Sequence, residues 1–443
     1  MRRLLIGSTA LLISAPLVAQ NTAPRPTTLT LNEALALAKQ NNVQYLQIVN
    51  QRNTTRIGVR QAYAALGPNL SSGLNFGWRE GRQEYFAGQP IGSGAATLSS
   101  GYGINLQLGY SYQSILAPKT ANRRVDAADA NVSAGENQLR LQITNQYLTA
   151  VELERTADLQ DSLVAGQQLQ LQLAKAKEAA GAGTLLDTKS AELGVSRAQI
   201  NALTARNRAV AAKMTLFVTI GVPYPGPAAF TTEPPAPTEP AFRADELITQ
   251  AKASNPNIAE ARANEMVASL ERRAAGAAYM FPTLSFSTGV GGSTNMLADA
   301  TGADRTWPFD FNRNPINFSV GLSYPIWNQY NREANVQSRT IATANARNAT
   351  RQQELQITTD VTTAVLDLQL AWQSIGLQSQ AVDNARQAML LARERYRGGS
   401  ASFIELSNAS DNYQNAENQR LSAIYGYHRA FAALEAAVGR PLR

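Results

Sequence analysis

The chain repeats itself at half length, and no other feature constrains its fold so strongly. AALGPNL from Ala64 corresponds to AYMFPTL from Ala278, INLQLGYSY from Ile104 to INFSVGLSY from Ile316, and LQIT from Leu141 to LQIT from Leu355. Two glycine breaks, at Gly181 and Gly399, each stand six residues before an acid, Asp187 or Glu405. The copies close on IGVPY from Ile220 and VGRPL from Val438. Corresponding positions lie 212 to 218 residues apart, from Ile104 and Ile316 at the low end to Gly181 and Gly399 at the high end. Residues 20–222 and 243–443 are therefore expected to be two copies of one unit, each reading helix, strand, strand, long helix, glycine break, helix. Between them, residues 223–242 carry PYPGPAAFTTEPPAPTEP, in which repeated proline removes backbone donors and favours an extended linker.

Four segments alternate with period two: NLSSGLNFGW after Pro68, TLSFSTGVGG after Pro282, GINLQLGYSYQ from Gly103 and NFSVGLSYPIW from Asn317. Leu74, Phe76 and Trp78 share one side, as do Ile104, Leu106, Leu108, Tyr110 and Tyr112. Each segment has about ten residues, the length of a tilted strand crossing a bilayer. Gly-, Ser- and Asn-rich loops, 79–101 and 293–315, join the partners. Short turns on one side and long loops on the other are the asymmetry of an outer-membrane barrel.

Long helices dominate the rest. Val361, Leu368, Ile375, Val382, Met389 and Tyr396 recur every seventh residue, with Val365 and Trp372 between them. Leu193, Ile200, Leu203, Val210, Met214 and Phe217 alternate spacings of three and four, with Ser196 and Asn207 at the polar positions of that seam. This is coiled-coil patterning. One helix from Asn328 to Arg397 would measure roughly 105 Å at 1.5 Å per residue. No compact domain holds such a rod.

Composition narrows the setting. Met1, Arg2 and Arg3 precede LLIGSTALLISAPLVA, the charged start and short apolar centre of a secretory signal, expected to span 1–19 with cleavage after Ala19. There is no cysteine, so neither a disulfide framework nor a thiolate metal site is available, and no later run of roughly 18 apolar residues suggests a membrane-spanning helix. The formal charge of +7 falls to +5 once Arg2 and Arg3 leave with the signal. Its arginines are scattered, with pairs such as Arg123-Arg124 and Arg272-Arg273 but no aromatic-interleaved stripe, so no nucleic-acid partner is expected. His428, the one histidine, sits beside the seam residue Tyr427 and reads as a packing or surface residue. Asp126 and Asp129 share a helix face and read as solvating a helix start. GAGTLL and GYGINL lack the third glycine of a dinucleotide loop. No catalytic constellation, metal site or cofactor is expected.

Four strands cannot close a barrel, and an open edge in lipid leaves backbone groups unpaired, so several copies must share one wall. The strands run directly into the rods, so a shared barrel would continue as a hollow cylinder of helices.

The tandem repeat, the Pro-preceded strands and the two breaks GAGTLLD and GGSASFIE resemble the TolC-like outer-membrane efflux channels over Leu29 to Leu442. The resemblance implies a mixed α and β membrane protein: a homotrimer with a twelve-stranded β-barrel in outer-membrane lipid, four strands per chain, continuing into a periplasmic α-helical coiled-coil tunnel. It implies a passive exit duct for tripartite efflux or type I secretion, served by a periplasmic adaptor and an inner-membrane pump. In that family the breaks are hairpins at the periplasmic tip, which here assigns adaptor docking to Gly181, Gly183, Thr184, Leu185, Gly398, Gly399, Ser400 and Phe403. It also assigns Glu405 and Asn408 to the rings around the aperture, and Tyr396 and Asp187 to holding it shut. Asn408 stands where the family pattern has an acid, and Ala401 where it has a closing arginine, a role for which Arg395 and Arg397 are the candidates. Three Glu405 carboxylates in a ring would favour cations. The competing reading is a secreted helical protein that assembles into a filament or surface layer.

Overall fold

The computed structural model describes residues 28–81, 83–91, 96–226, 229–230, 234–298 and 311–442; the expected signal segment 1–19 lies outside them. The first copy runs β1 (Thr28–Leu29), α1 (Leu31–Asn41), α2 (Val43–Ala64), β2 (Asn69–Arg79), β3 (Glu84–Phe86), β4 (Gln89–Ile91), β5 (Ala96–Tyr110), α3 (Tyr112–Ala179) and α4 (Leu185–Ile220). After β6 (Ala229–Phe230), the second runs α5 (Ala244–Ser254), α6 (Pro256–Met280), β7 (Thr283–Ala298), β8 (Asn312–Arg313), β9 (Asn317–Ser323), α7 (Asn331–Arg397) and α8 (Phe403–Val438). In each copy the first helix is a pair, α1–α2 and α5–α6, and the short strands β3, β4 and β8 lie between the long ones. Among the described residues no helix is long and apolar enough to cross a membrane.

The sheet has five strands in the order β2-β5-β7, with β9 and the two-residue β8 both pairing the free side of β7, every neighbour antiparallel. Its register gathers the larger apolar residues on one face. Leu70 faces Leu106, Ile104 faces Val290, Leu108 faces Phe286, and Phe286 faces Val320. Leu70, Leu74, Phe76, Trp78, Phe318, Val320 and Leu322 are all exposed in the single chain. Such a face is stable against lipid and costly against water.

Several boundaries differ from the sequence reading. Tyr112 does not continue the strand; it is the first residue of α3, because Ser111 caps that helix by accepting from Ser114 N while Ser114 Oγ accepts from Ser111 N. The inter-strand loops are shorter than 79–101 and 293–315, since β5 already starts at Ala96, β7 continues to Ala298, and a small β3–β4 hairpin occupies part of the first. Residues 299–310 of the second loop fall outside the described set. Strand β9 stops at Ser323 and the rod starts at Asn331 rather than Asn328, leaving Ile326 and Trp327 in the connection. Nor is the linker wholly without structure: Ala229–Phe230 pair in parallel with Thr28–Leu29, and Tyr427 Oη donates to Thr238 O at 2.7 Å.

The long helices stand side by side. Helix α4 packs on α3, α3 on α8 and α8 on α7; above them α2 packs on α3, α3 on α6 and α6 on α7. Hence α2 stands over α4, and α6 over α8. One asparagine serves each junction. Asn42 Oδ1 accepts from Tyr45 N at 2.8 Å while its Nδ2 donates to Thr219 O at 2.6 Å. Asn255 Oδ1 accepts from Asn257 N at 2.9 Å while its Nδ2 donates to Ala437 O at 2.9 Å. A single amide thus satisfies an orphan donor of the upper helix and an orphan carbonyl of the lower one. The lower helices end on Gly221 and Gly439, both with positive φ, and a Cβ at Gly221 would come within 2.2 Å of Asn41 O.

Two apolar cores flank these junctions. Leu29, Ala34 and Ala38 pack with Ile143, Tyr147, Leu216, Phe217 and Ile220; Leu247 and Ala251 pack with Ile357, Val361, Leu368, Phe431 and Leu434. Each fully buried Leu or Ile there contributes about 1.5–3 kcal/mol. The seam read on α7 is internal at Val361, Leu368, Val382 and Tyr396. The seam read on α4 is not: Leu193, Ile200, Leu203, Val210 and Met214 are 42–62% exposed, and only Phe217 is buried. Helix α4 instead buries Ala191, Ala198, Ala202, Ala205 and Ala209, because small residues let α3 approach closely. His428 is buried beside Tyr427, edge to face at 5.4 Å, in keeping with a packing role. Asp126 pairs with Arg123, and Asp129 pairs with Arg52 of α2, so the latter ties two helices rather than solvating one.

Candidate aperture at the hairpin ends

Both glycine breaks are helical hairpins of one construction. Helix α3 ends with Gly181 N donating to Glu178 O and Ala182 N to Lys177 O, each at 2.9 Å. Helix α7 ends with Gly399 N donating to Tyr396 O at 3.1 Å and Ser400 N to Arg395 O at 2.9 Å, the same pattern 218 residues later. Gly181 and Gly399 have φ of 68° and 81°, the left-handed conformation such an ending requires. Each following helix is capped by a hydroxyl. Thr184 Oγ1 accepts from Asp187 N and Ser402 Oγ accepts from Glu405 N, both at 3.2 Å. The glycine-to-acid spacing of six is thus a turn followed by an N-cap and its N3 acid.

The two acids then diverge. Asp187 completes a capping box by accepting from Thr184 N at 3.3 Å. Glu405 instead accepts from Arg395 Nη1 at 2.7 Å, and the same guanidinium donates to Ser400 O at 3.3 Å. Arg395 therefore staples the end of α7, the turn and the start of α8. Of the two arginines considered from the sequence, it is Arg395 that holds the acid.

The hairpins are fastened to each other through Tyr396. Lys177 Nζ donates to Tyr396 O at 2.5 Å and lies 4.3 Å from the centre of the Tyr396 ring. Phe403 meets that ring edge to face at 5.7 Å, within a core that includes Ala174, Ala191, Ala392 and Leu406. Tyr396 is 2% exposed. Its hydroxyl has no hydrogen-bond partner among the described residues, and burial first, then the charge of Asp187, push its pKa above the ordinary tyrosine value. Tyr396 and Asp187 are neighbours with no bond between them among the described contacts; Lys177, which the sequence reading did not single out, ties the first hairpin to Tyr396.

Asn408 is exposed on α8 and lines, with Leu193, Arg197, Ser407 and Asp411, a groove of about 300 Å³ between α4 and α8. Gln167 of α3 also lines it, and Gln167 and Gln170 donate to Ser410 Oγ at 3.4 and 3.1 Å. Burial raises the Asp411 pKa, opposed by Arg197. At the turns Gly181, Thr184, Leu185, Gly398, Gly399 and Ser400 are exposed and Gly183 is half-buried, while Phe403 is buried and supports the turn from inside. Leu186 and Ile404, absent from the sequence reading, are exposed apolar side chains there beside Leu185. Among the described residues no group of acids and histidine is arranged to hold a metal.

The comparisons with known proteins bear on the whole arrangement. Residues 247–440 match the family model of the outer membrane efflux protein. The fold is similar to that of CusC, at 17% identity and a TM-score of 0.77, covering 96% of each chain. It is similar also to the outer membrane protein VceC from Vibrio cholerae, at 19% identity and a TM-score of 0.74, covering 93% of this chain and 97% of that one. Nodulation protein T of Rhizobium leguminosarum bv. trifolii is 22% identical over 328 residues, 72% of this chain and 67% of that protein. The second copy is thus matched in sequence by the outer membrane efflux protein family model, and both copies are similar in fold to outer-membrane channel proteins.

Proposed function

We propose that three copies of the chain close a twelve-stranded barrel in outer-membrane lipid and continue as a hollow helical tunnel into the periplasm. The assembly is the passive exit duct of a tripartite efflux or type I secretion system, taking its substrate from a periplasmic adaptor and an inner-membrane pump. The observation that carries this reading is that both lateral edges of the chain are unfinished. One edge consists of β2, α2 and α4, the other of β9 and α7. Four antiparallel strands place β9 of one copy antiparallel to β2 of the next, so cyclic repetition completes the ladder. The helical edges are matched in the same way. Helix α4 exposes Leu193, Ile200, Leu203, Val210 and Met214, and α7 exposes Leu355, Leu366, Leu370, Leu377 and Leu391. Two apolar stripes of tunnel length on opposite edges favour a ring over a free monomer.

In this reading the copies 20–222 and 243–443, joined by 223–242, form the wall. Asp187, Tyr396, Glu405 and Asn408 form the aperture, and the turns at Gly181–Leu185 and Gly398–Ser400 meet the adaptor. The test is to isolate the mature protein from outer membranes in detergent and determine its subunit number. A trimer that aggregates when detergent is removed supports the duct; a monomer stable in plain buffer overturns it.

A further inference from the structure

The sheet face opposite the lipid-facing one is built as a flat, uncharged wall. Reading across the register, Asn69, Gln107, Ser287 and Ser319 form one row, Ser71, Asn105, Gly289 and Asn317 the next, and Gly73, Gly103 and Gly291 a third. Further out Asn75 faces Gly101, and Gly77 faces Ser99; at the other end Ser285 faces Gly321. On this face residues 69–77 of β2, 99–109 of β5, 285–293 of β7 and 317–321 of β9 include no ionisable side chain, and Arg79 at the rim is the first.

The glycines decide where the polar side chains go. A Cβ at Gly289 would stand 2.5 Å from Asn105 Oδ1, and one at Gly101 would stand 2.8 Å from Asn75 Oδ1. A Cβ at Gly77 would lie 2.8 Å from Ser99 Oγ, and at Gly321 2.9 Å from Ser285 Oγ. In all four cases the obstructing atom belongs to the residue directly opposite on the neighbouring strand. Both serines donate to the carbonyl of the glycine they cover, at 3.1 Å to Gly77 O and 3.3 Å to Gly321 O, and Ser287 and Ser319 bond to each other at 2.6 Å. Side chains that would otherwise project lie along the wall, with their hydroxyls already satisfied. Between β5, β7 and β9 they leave a trough of about 620 Å³ lined by Ser71, Asn105, Gln107, Ser287, Asn317 and Ser319 among others.

We infer that the barrel segment is a smooth, charge-blind exit whose bore is set by amides and hydroxyls laid over glycines, so that it passes cationic, anionic and uncharged solutes alike. Any charge selection belongs to the helical tunnel. The inference rests on the duct reading, because that reading makes this face the lumen. A low-dielectric pore discriminates by sign only where fixed charges or aligned dipoles line it, and amides and hydroxyls folded onto a wall present neither.

The natural absence of cysteine makes the test direct. Ser71→Cys, nearly isosteric, is placed in the protein reconstituted in lipid vesicles, and its reaction with cationic and anionic thiol reagents of equal size is timed from outside. The ratio of the two rates, relative to a free thiol, is expected to stay within about two-fold, and adding Asn105→Asp is expected to move it toward the cation by at least about five-fold. Gly289→Ala, which drives Asn105 off the wall, should slow bulky reagents more than small ones. A Ser71→Cys ratio beyond about ten-fold in either direction would overturn the inference. Leu70→Cys on the opposite face separates this failure from failure of the duct. Protection of Leu70→Cys beside a sign-selective Ser71→Cys rejects the charge-blind exit alone, whereas equal reaction at both positions rejects the barrel and the inference with it.

Discussion

At the scale of single residues, the tip depends on which groups Arg395 and Lys177 satisfy. Arg395 pairs with Glu405 at 2.7 Å, so in the proposed aperture a ring of these pairs would carry less net negative charge than bare carboxylates. Arg395→Ala releases three such charges in the proposed trimer. The permeability ratio for cations over anions is then expected to rise about two- to five-fold, read as a shift in reversal potential across a planar bilayer. No shift would mean that Glu405 lies off the conduction path. Asp411 offers a second handle, on pH. Its pKa is raised in the folded chain, so the folded state binds the proton more tightly than the unfolded one. Its contribution is therefore favourable below the ordinary carboxylate pKa and is lost as pH rises through the raised value. Asp411→Asn should increase the protection of the first turns of α8 from hydrogen exchange at neutral pH and make that protection independent of pH through the titration of Asp411. An unchanged exchange profile would contradict the burial argument.

At the scale of elements, what was legible in the sequence depended on residue size. The seam of α7 could be read because Val361, Leu368, Val382 and Tyr396 are both large and internal. That of α4 could not, because Ala191, Ala198, Ala202, Ala205 and Ala209 do the internal packing and the eye follows Leu193, Ile200 and Leu203, which belong to another surface. The hairpins were legible for a different reason, as glycine, hydroxyl cap and acid fall at fixed spacing. The Lys177–Tyr396 link was not, since it joins the two copies across 219 residues and leaves no local pattern. The inverted roles of the α4 faces give a paired prediction. Ala202→Leu overpacks the α3–α4 contact and should cost about 1–3 kcal/mol, visible as a lower unfolding temperature of the isolated chain in detergent. Leu203→Ser should leave that temperature within a few degrees while lowering the fraction of assembled protein at a given concentration. Equal effects from the two would deny that the faces serve different partners.

For the whole molecule, the question is how copies follow one another around the axis. In the proposed assembly the edge strands β2 and β9 and the edge helices α4 and α7 bring each chain against two others, through two different surfaces. Such heterologous contacts either close into a ring or continue as a filament, and the rotation per copy decides which. Closure is favoured by the sheet, since only a complete circle leaves no strand edge in lipid. Absence of cysteine again gives a clean readout. With one cysteine at Leu74 of β2 and a series at Phe318, Val320 and Leu322 of β9, all on the lipid-facing side, each oxidised contact joins one copy to the next. The expected product is a ladder of one, two and three linked chains that stops there, the last species running as a covalent circle on a denaturing gel. A ladder that stops at two would indicate an eight-stranded wall. One that continues past three would describe an open helical assembly, in which the neutral wall, the apolar stripes and the paired hairpins would all need a different account.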